Sequence, residues 1–125
     1  MTTAAPSRTV RLEQFQTPTK NIACAATGED VRCDIEARSW TPPPRPRSCD
    51  ADFDWGNGFS ILPDGTATGN CATDTVLDKA SPVLAYGEAS TVGPITCVSR
   101  LDGLTCTHAR TNRGFFLSRG SYKLF

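Results

Sequence analysis

Asn21-Ile22-Ala23-Cys24-Ala25-Ala26-Thr27-Gly28-Glu29-Asp30-Val31-Arg32-Cys33-Asp34-Ile35 is the stretch that decides the fold. Ile22, Cys24 and Ala26 alternate with smaller residues, and Val31, Cys33 and Ile35 resume the period of two after Thr27-Gly28-Glu29-Asp30. Alternation on both sides of a turn signal predicts a β-hairpin. With those four residues as the turn, Ile22 faces Ile35, Cys24 faces Cys33 and Ala26 faces Val31. One face then carries all six side chains, and a slip of one residue would break every pairing.

Working outward, the arrangement recurs near the end of the chain. Cys97 and Cys106 are separated by the same eight residues as Cys24 and Cys33, around Arg100-Leu101-Asp102-Gly103. Ile95 then faces His108 and Ser99 faces Leu104, so the spacing suggests two equivalent hairpins and an internal duplication. A third hairpin lies between them, Phe59-Ser60-Ile61-Leu62 and Thr66-Ala67-Thr68 about Pro63-Asp64-Gly65, where each turn residue has a physical role. Thr9-Val10-Arg11-Leu12-Glu13 alternates and predicts a first short strand ending near Phe15. Gly114 to Arg119 and Ser121 to Phe125 predict two closing strands. Short strands and frequent turn residues define the expected fold: all-β, a small disulfide-stapled antiparallel sandwich or barrel built from hairpins.

The linker Thr41-Pro42-Pro43-Pro44-Arg45-Pro46-Arg47 excludes helix and central strand, and predicts extended backbone crossing from one sheet to another. Its Pro43 to Pro46 spacing reads as linker rather than as a ligand for aromatic grooves. Ala72 to Ala80 is expected to make a helical turn, after which Pro82, Gly87 and Gly93 interrupt the chain. Residues 1–8 read as a disordered lead-in and 9–125 as a single β domain, since 125 residues suffice for one core.

The six cysteines, at 24, 33, 49, 71, 97 and 106, are even in number and spread along the chain. No two stand two to four residues apart, as zinc ligands do when both thiolates must reach one ion about 2.3 Å away. The usage is that of disulfides, and it implies an oxidising compartment. Opposite residues of an antiparallel pair come within roughly 4.5 to 5.5 Å, so Cys24 with Cys33 and Cys97 with Cys106 are feasible bridges. Cys49 then pairs with Cys71, closing a larger loop with a contribution of about 3 kcal/mol. The competing arrangement places the hairpin cysteines across two packed sheets.

Met1-Thr2-Thr3-Ala4-Ala5-Pro6 contains no apolar segment of signal-peptide length, so the expectation is a mature chain whose leader has been removed, secreted or at the cell surface. No apolar run has the length of a transmembrane segment. With 13 basic and 13 acidic side chains the net charge is zero, and nucleic acid is not an expected partner. The charge is unevenly spread. Residues 50–88 are acidic and 100–125 basic, which predicts two ends of opposite sign.

His108, the one histidine, is a general-base candidate by type, but its register opposite Ile95 makes it a packed or rim residue. No serine lies in a Gly-x-Ser-x-Gly elbow, and disulfide pairing leaves no thiol nucleophile. Asp50, Asp52 and Asp54 match the start of a calcium loop, but Trp55 stands where that loop needs glycine and Ile61 where it needs glutamate. An acidic solvated loop is the reading, with no metal and no cofactor. Arg110, Arg113, Arg119 and Lys123 form a candidate anion-binding group about Thr111-Asn112-Arg113-Gly114. Trp40, Phe53 and Trp55 flank the proline linker and form a candidate partner surface.

Phe15-Gln16-Thr17-Pro18, Asn21-Ile22-Ala23-Cys24, Val31-Arg32-Cys33-Asp34-Ile35, Leu84-Ala85-Tyr86-Gly87, Gly93-Pro94-Ile95-Thr96-Cys97, Gly103-Leu104-Thr105-Cys106 and Gly114-Phe115-Phe116-Leu117-Ser118 together resemble an uncharacterised family of secreted or lipid-anchored six-cysteine domains from actinobacteria, including mycobacteria. Thr19-Lys20 departs from the Ser-Gly usual there. The resemblance implies export and paired cysteines and brings no activity. The expected function is an extracytoplasmic interaction or ligand-binding module of the cell envelope, without catalysis, whose partner is another envelope or extracellular protein or a glycan. The alternatives are a secreted protease inhibitor using the proline-rich loop and an envelope hydrolase using His108 or the Asp50 to Asp54 run.

Overall fold

The computed structural model describes residues 5–125. Eleven strands and no helix form among them: β1 (Arg8–Val10), β2 (Gln14–Gln16), β3 (Ile22–Ala26), β4 (Val31–Ile35), β5 (Asp54–Ile61), β6 (Ala67–Ala72), β7 (Glu88–Val92), β8 (Ile95–Arg100), β9 (Gly103–His108), β10 (Gly114–Leu117) and β11 (Tyr122–Leu124). The strands make two sheets, ordered β2-β3-β4-β5-β6 and β1-β7-β8-β9-β10-β11, that pack as a sandwich. The shared core draws Phe15, Ile22, Val31, Ile35, Phe59 and Ile61 from the first sheet and Ile95, Leu104, Phe115 and Leu117 from the second. The Phe59 and Phe115 rings meet across the layers at 6.0 Å.

The expected registers are realised. Ile22 faces Ile35, Cys24 faces Cys33 and Ala26 faces Val31, while Ile95 faces His108, Cys97 faces Cys106 and Ser99 faces Leu104. The bridges Cys24–Cys33, Cys49–Cys71 and Cys97–Cys106 are formed. The equivalence of the hairpins extends further than the spacing indicated. Phe59 is opposite Cys33 and Phe115 is opposite Cys106, so β2 to β6 and β7 to β11 are two five-stranded meanders in one register.

Each meander lends its leading segment to the other. β1 precedes β2 in the chain but pairs in parallel with β7. The segment before β7 pairs in parallel with β2 through Gln16 and Val83, with Gln16 N–H donating to the Pro82 carbonyl and Leu84 N–H to the Gln16 carbonyl. The single strand expected over Thr9 to Phe15 is therefore two strands in different sheets. The chain crosses between layers at Leu12, whose N–H and carbonyl are both engaged by the Ser90 hydroxyl. Of the expected lead-in, Ser7 donates its N–H to Gly87 and Arg8 lies in β1, while Met1 to Ala4 lie outside the described residues.

Three other expectations are corrected. The proline linker does not pass between sheets, because β4 and β5, which it joins, are neighbours in one sheet. No helical turn forms over Ala72 to Ala80. Backbone groups there bond to the outer face of the first sheet instead: Val76 N–H donates to Asp34, and the Gln16 amide donates to the carbonyls of Lys79 and Ser81. The acidic and basic segments are not kept at separate ends, since Arg110 donates to the Asp64 carbonyl. The strand β7 carries no signal strong enough to have been read, set as it is between Gly87 and Gly93. The β5 strand begins at Asp54 rather than near Phe59, its register shifting between Trp55 and Phe59.

Candidate functional site

The meander repeat sets up two comparable junctions, each between the tip of one hairpin and the turn entering the other, and they are finished differently. The Gly28-Glu29 tip abuts the two-residue β7–β8 turn so closely that a Cβ on Gly93, which sits at φ +59°, would lie 2.3 Å from the Gly28 carbonyl oxygen. That junction is shut. The Leu101-Asp102 tip instead faces the longer β2–β3 connection, Thr17 to Asn21, and a cleft of about 500 Å³ remains between them. Glu36, Tyr86 and the Ser118-Arg119-Gly120 turn complete its walls.

The walls are held from behind. Asn21 exchanges two hydrogen bonds with the Ala37 backbone, its Nδ2 donating at 2.9 Å and its Oδ1 accepting at 2.8 Å, which extends the β3–β4 ladder and fixes the connection. Arg119 accepts the Ser39 N–H on its carbonyl, leaving its exposed guanidinium directed by no ion pair among the described residues. Glu36 is paired with Lys79 at 2.6 Å. Leu101 is 85 % exposed and Tyr86 42 %; two large apolar groups thus flank one cleft beside a cation. A pocket of apolar surface with a few fixed polar groups is the ordinary form of a binding site. Thr17, Gly103 and Gly120 add small and backbone-lined surface.

A second cleft, of about 420 Å³, lies on the outer face of the first sheet around Arg32, Asp34, Asn70 and Asp74. Asp34 is buried and accepts from Arg32 Nη2 at 2.9 Å, Asn70 Nδ2 at 2.7 Å, Thr75 Oγ1 at 2.9 Å and Val76 N at 3.0 Å. Arg32 also reaches Asp74 at 2.8 Å, and that hydrogen bond, with the guanidinium charge, holds the Asp74 carboxyl below the usual range. Every lone pair on Asp34 has a donor, so this network latches the segment after β6 onto the sheet.

The residues singled out from sequence are largely dispersed. Arg110 and Arg113 sit at the β9–β10 turn, Arg119 at the β10–β11 turn beyond the other end of β10, and Lys123 on β11. They do not form one group, because a strand of four residues separates the two turns. Trp40 is packed rather than displayed: it stacks on Phe59 at 5.6 Å and donates its indole N–H to Ser118. Trp55 covers Gly69 and donates to the Pro43 carbonyl at 2.7 Å. Phe53 alone of the three is exposed. His108 is buried, and its Nδ1 accepts the Arg110 N–H at 3.1 Å. Asp50, Asp52 and Asp54 are exposed, and Asp50 caps the Asp52 N–H. The cleft residues Tyr86, Leu101 and Asp102 carry no site motif in the sequence, where Leu101 stands out only as an apolar residue at a turn position.

The fold is that of a small disulfide-bonded all-β domain with one cleft between loops and another on the outer face of a sheet. The chain belongs to the family of unknown function DUF6636, whose model matches residues 13–125. No curated protein and no solved structure matches it. No helix among the described residues is long and apolar enough to cross a membrane.

Proposed function

We propose that this domain is a non-catalytic binding module of the extracytoplasmic space, and that its site is the cleft between the Leu101-Asp102 tip and the β2–β3 connection. The observation that carries the proposal is the asymmetry of two comparable junctions, one shut by backbone contact at Gly28 and Gly93 and the other open and flanked by Tyr86 and Leu101. Exposed large apolar side chains that converge on a cleft oppose solvation unless a partner covers them. The partner is an envelope or extracellular protein or glycan that sets an apolar face on Tyr86 and Leu101 and an anionic group on Arg119. Three disulfides support the compartment, since such bonds persist outside the cytosol. Resemblance to envelope domains of actinobacteria supports it further. The non-catalytic reading is supported by the oxidised state of every cysteine and by the burial and engagement of His108.

The geometry favours the cleft over the proline-rich loop as the contact surface. Pro46 accepts the Cys49 N–H, so Arg47 and Ser48 are the corners of a turn, whereas a segment read by strand addition is extended.

The test is capture from an envelope fraction by immobilised oxidised protein. Capture is expected to be lost with Tyr86→Ala combined with Leu101→Asp and weakened by Arg119→Glu, and to persist with Phe53→Ala and Arg113→Ala. Capture that survives the cleft variants overturns the assignment.

A further inference from the structure

The disulfides occupy two different settings. Cys24–Cys33 and Cys97–Cys106 join directly opposite residues inside their ladders, and none of the four is more than 2 % exposed. An external thiolate has no path to them. Cys49–Cys71 instead ties a loop to an edge. Cys71 lies exposed on β6, the last strand of its sheet, while Cys49 is buried at its other end. Arg45 Nη1 stands 3.6 Å from Cys49 Sγ and is fixed there by the carbonyls of Asp50 at 2.8 Å and Phe53 at 2.9 Å.

Thiol–disulfide exchange needs access to one sulfur and a good leaving thiolate on the other, and a neighbouring cation supplies the second by stabilising the negative charge. This bond has each feature on a different cysteine. We propose that Cys49–Cys71 is a thiol–disulfide exchange site for a dithiol reductant, with Cys71 as the attacked sulfur and Cys49 as the leaving group. The reductant's thiolate forms a bond to Cys71 Sγ as the Cys49–Cys71 bond breaks, and the electron pair departs on Cys49 Sγ beside Arg45. The reductant's second thiol, giving up its proton, then attacks its own sulfur in the mixed disulfide. The reductant leaves as a disulfide, and the Cys71 thiolate takes the proton. The two cysteines gain the two electrons that the dithiol loses. Among the described residues Arg45 bonds only within residues 45–53, so the exchange releases that loop from β6 while both hairpin bridges stay closed.

The experiment treats the folded, oxidised chain briefly with dithiothreitol, traps free thiols with N-ethylmaleimide and maps the label by mass spectrometry. Label on Cys49 and Cys71 before any of the other four is expected. With glutathione in place of the dithiol, the adduct is expected on Cys71 and the label on Cys49. Arg45→Gln slows the first step about threefold, and Arg45→Lys, which keeps the cation, restores most of the rate. Opening of a hairpin bridge at the same rate, or a glutathione adduct on Cys49, overturns the proposal from the unaltered protein alone; an Arg45→Gln rate equal to the parent's overturns the role of the guanidinium.

Discussion

Asp34 is a charged side chain only 3 % exposed, and burial of a carboxylate is tolerated only where its oxygens are fully used. Arg32, Asn70, Thr75 and the Val76 backbone use them. Asp34→Ala takes the acceptor from the Thr75 hydroxyl and the Val76 N–H and leaves Arg32 with Asp74 and Asn70 with the Cys33 carbonyl as their remaining acceptors, and it is expected to cost about 3 kcal/mol, measured by urea denaturation against a surface control such as Asp52→Ala. Asp74 gives the network a pH dependence. Its folded pKa is depressed by the Arg32 hydrogen bond and charge, so the contact stabilises above the unfolded carboxyl value of about 4 and is lost as pH falls from there through the folded value. Exchange of the Val76 and Leu77 amides is expected to speed up, relative to β8 amides, as the solution is acidified through that window. Asp34 showed in the sequence only as the polar partner in an alternating strand. That it is buried depends on a segment some forty positions later, which no local pattern contains.

At the scale of elements, both cysteine hairpins are followed by a Gly-Phe pair placed identically against the second cysteine. A Cβ on Gly58 would lie 1.9 Å from the Cys33 carbonyl oxygen, and one on Gly114 would lie 1.9 Å from that of Cys106. Backbone cannot yield as a side chain does, so Gly114→Ala is expected to destabilise by about 2 to 3 kcal/mol, read as a lowered urea midpoint with the disulfides intact. The hairpins themselves were legible because alternation, turn residues and cysteine spacing agreed on one register. β7 was not, since Glu88-Ala89-Ser90-Thr91-Val92 is short and bounded by glycines. The helical turn expected after Cys71 failed for a related reason: local propensity is weak, and the outer face of the sheet offered those backbone groups fixed side-chain partners.

For the whole molecule, the exchange of leading segments binds the two meanders in addition to their shared core. β1 completes the second and residues 82–84 flank the first, so the leading edge of each meander is covered by a segment from the other half. Residues 1–80 and 81–125 expressed separately are expected to give no dispersed amide spectrum, and mixing the oxidised fragments is expected to restore one; a folded isolated half would contradict this account. Phe59, in ring contact with Trp40, Phe115 and Tyr122, lies where the layers meet, and Phe59→Ala is expected to cost about 3 to 5 kcal/mol, seen in the same denaturation assay.

The sequence by itself determined the all-β class and the two hairpin registers, because each rests on period and turn chemistry within a few tens of residues; it made the three bridges feasible, and the structure chose them over pairing across the sheets. Tertiary structure alone decided which strands swap sheets, which junction closes and which stays open, why Arg119 is parted from Arg110 and Arg113, and why Trp40 is packed while Leu101 is displayed. Those outcomes depend on how two similar halves meet, and contact between segments far apart in the chain leaves no trace in the local pattern of either.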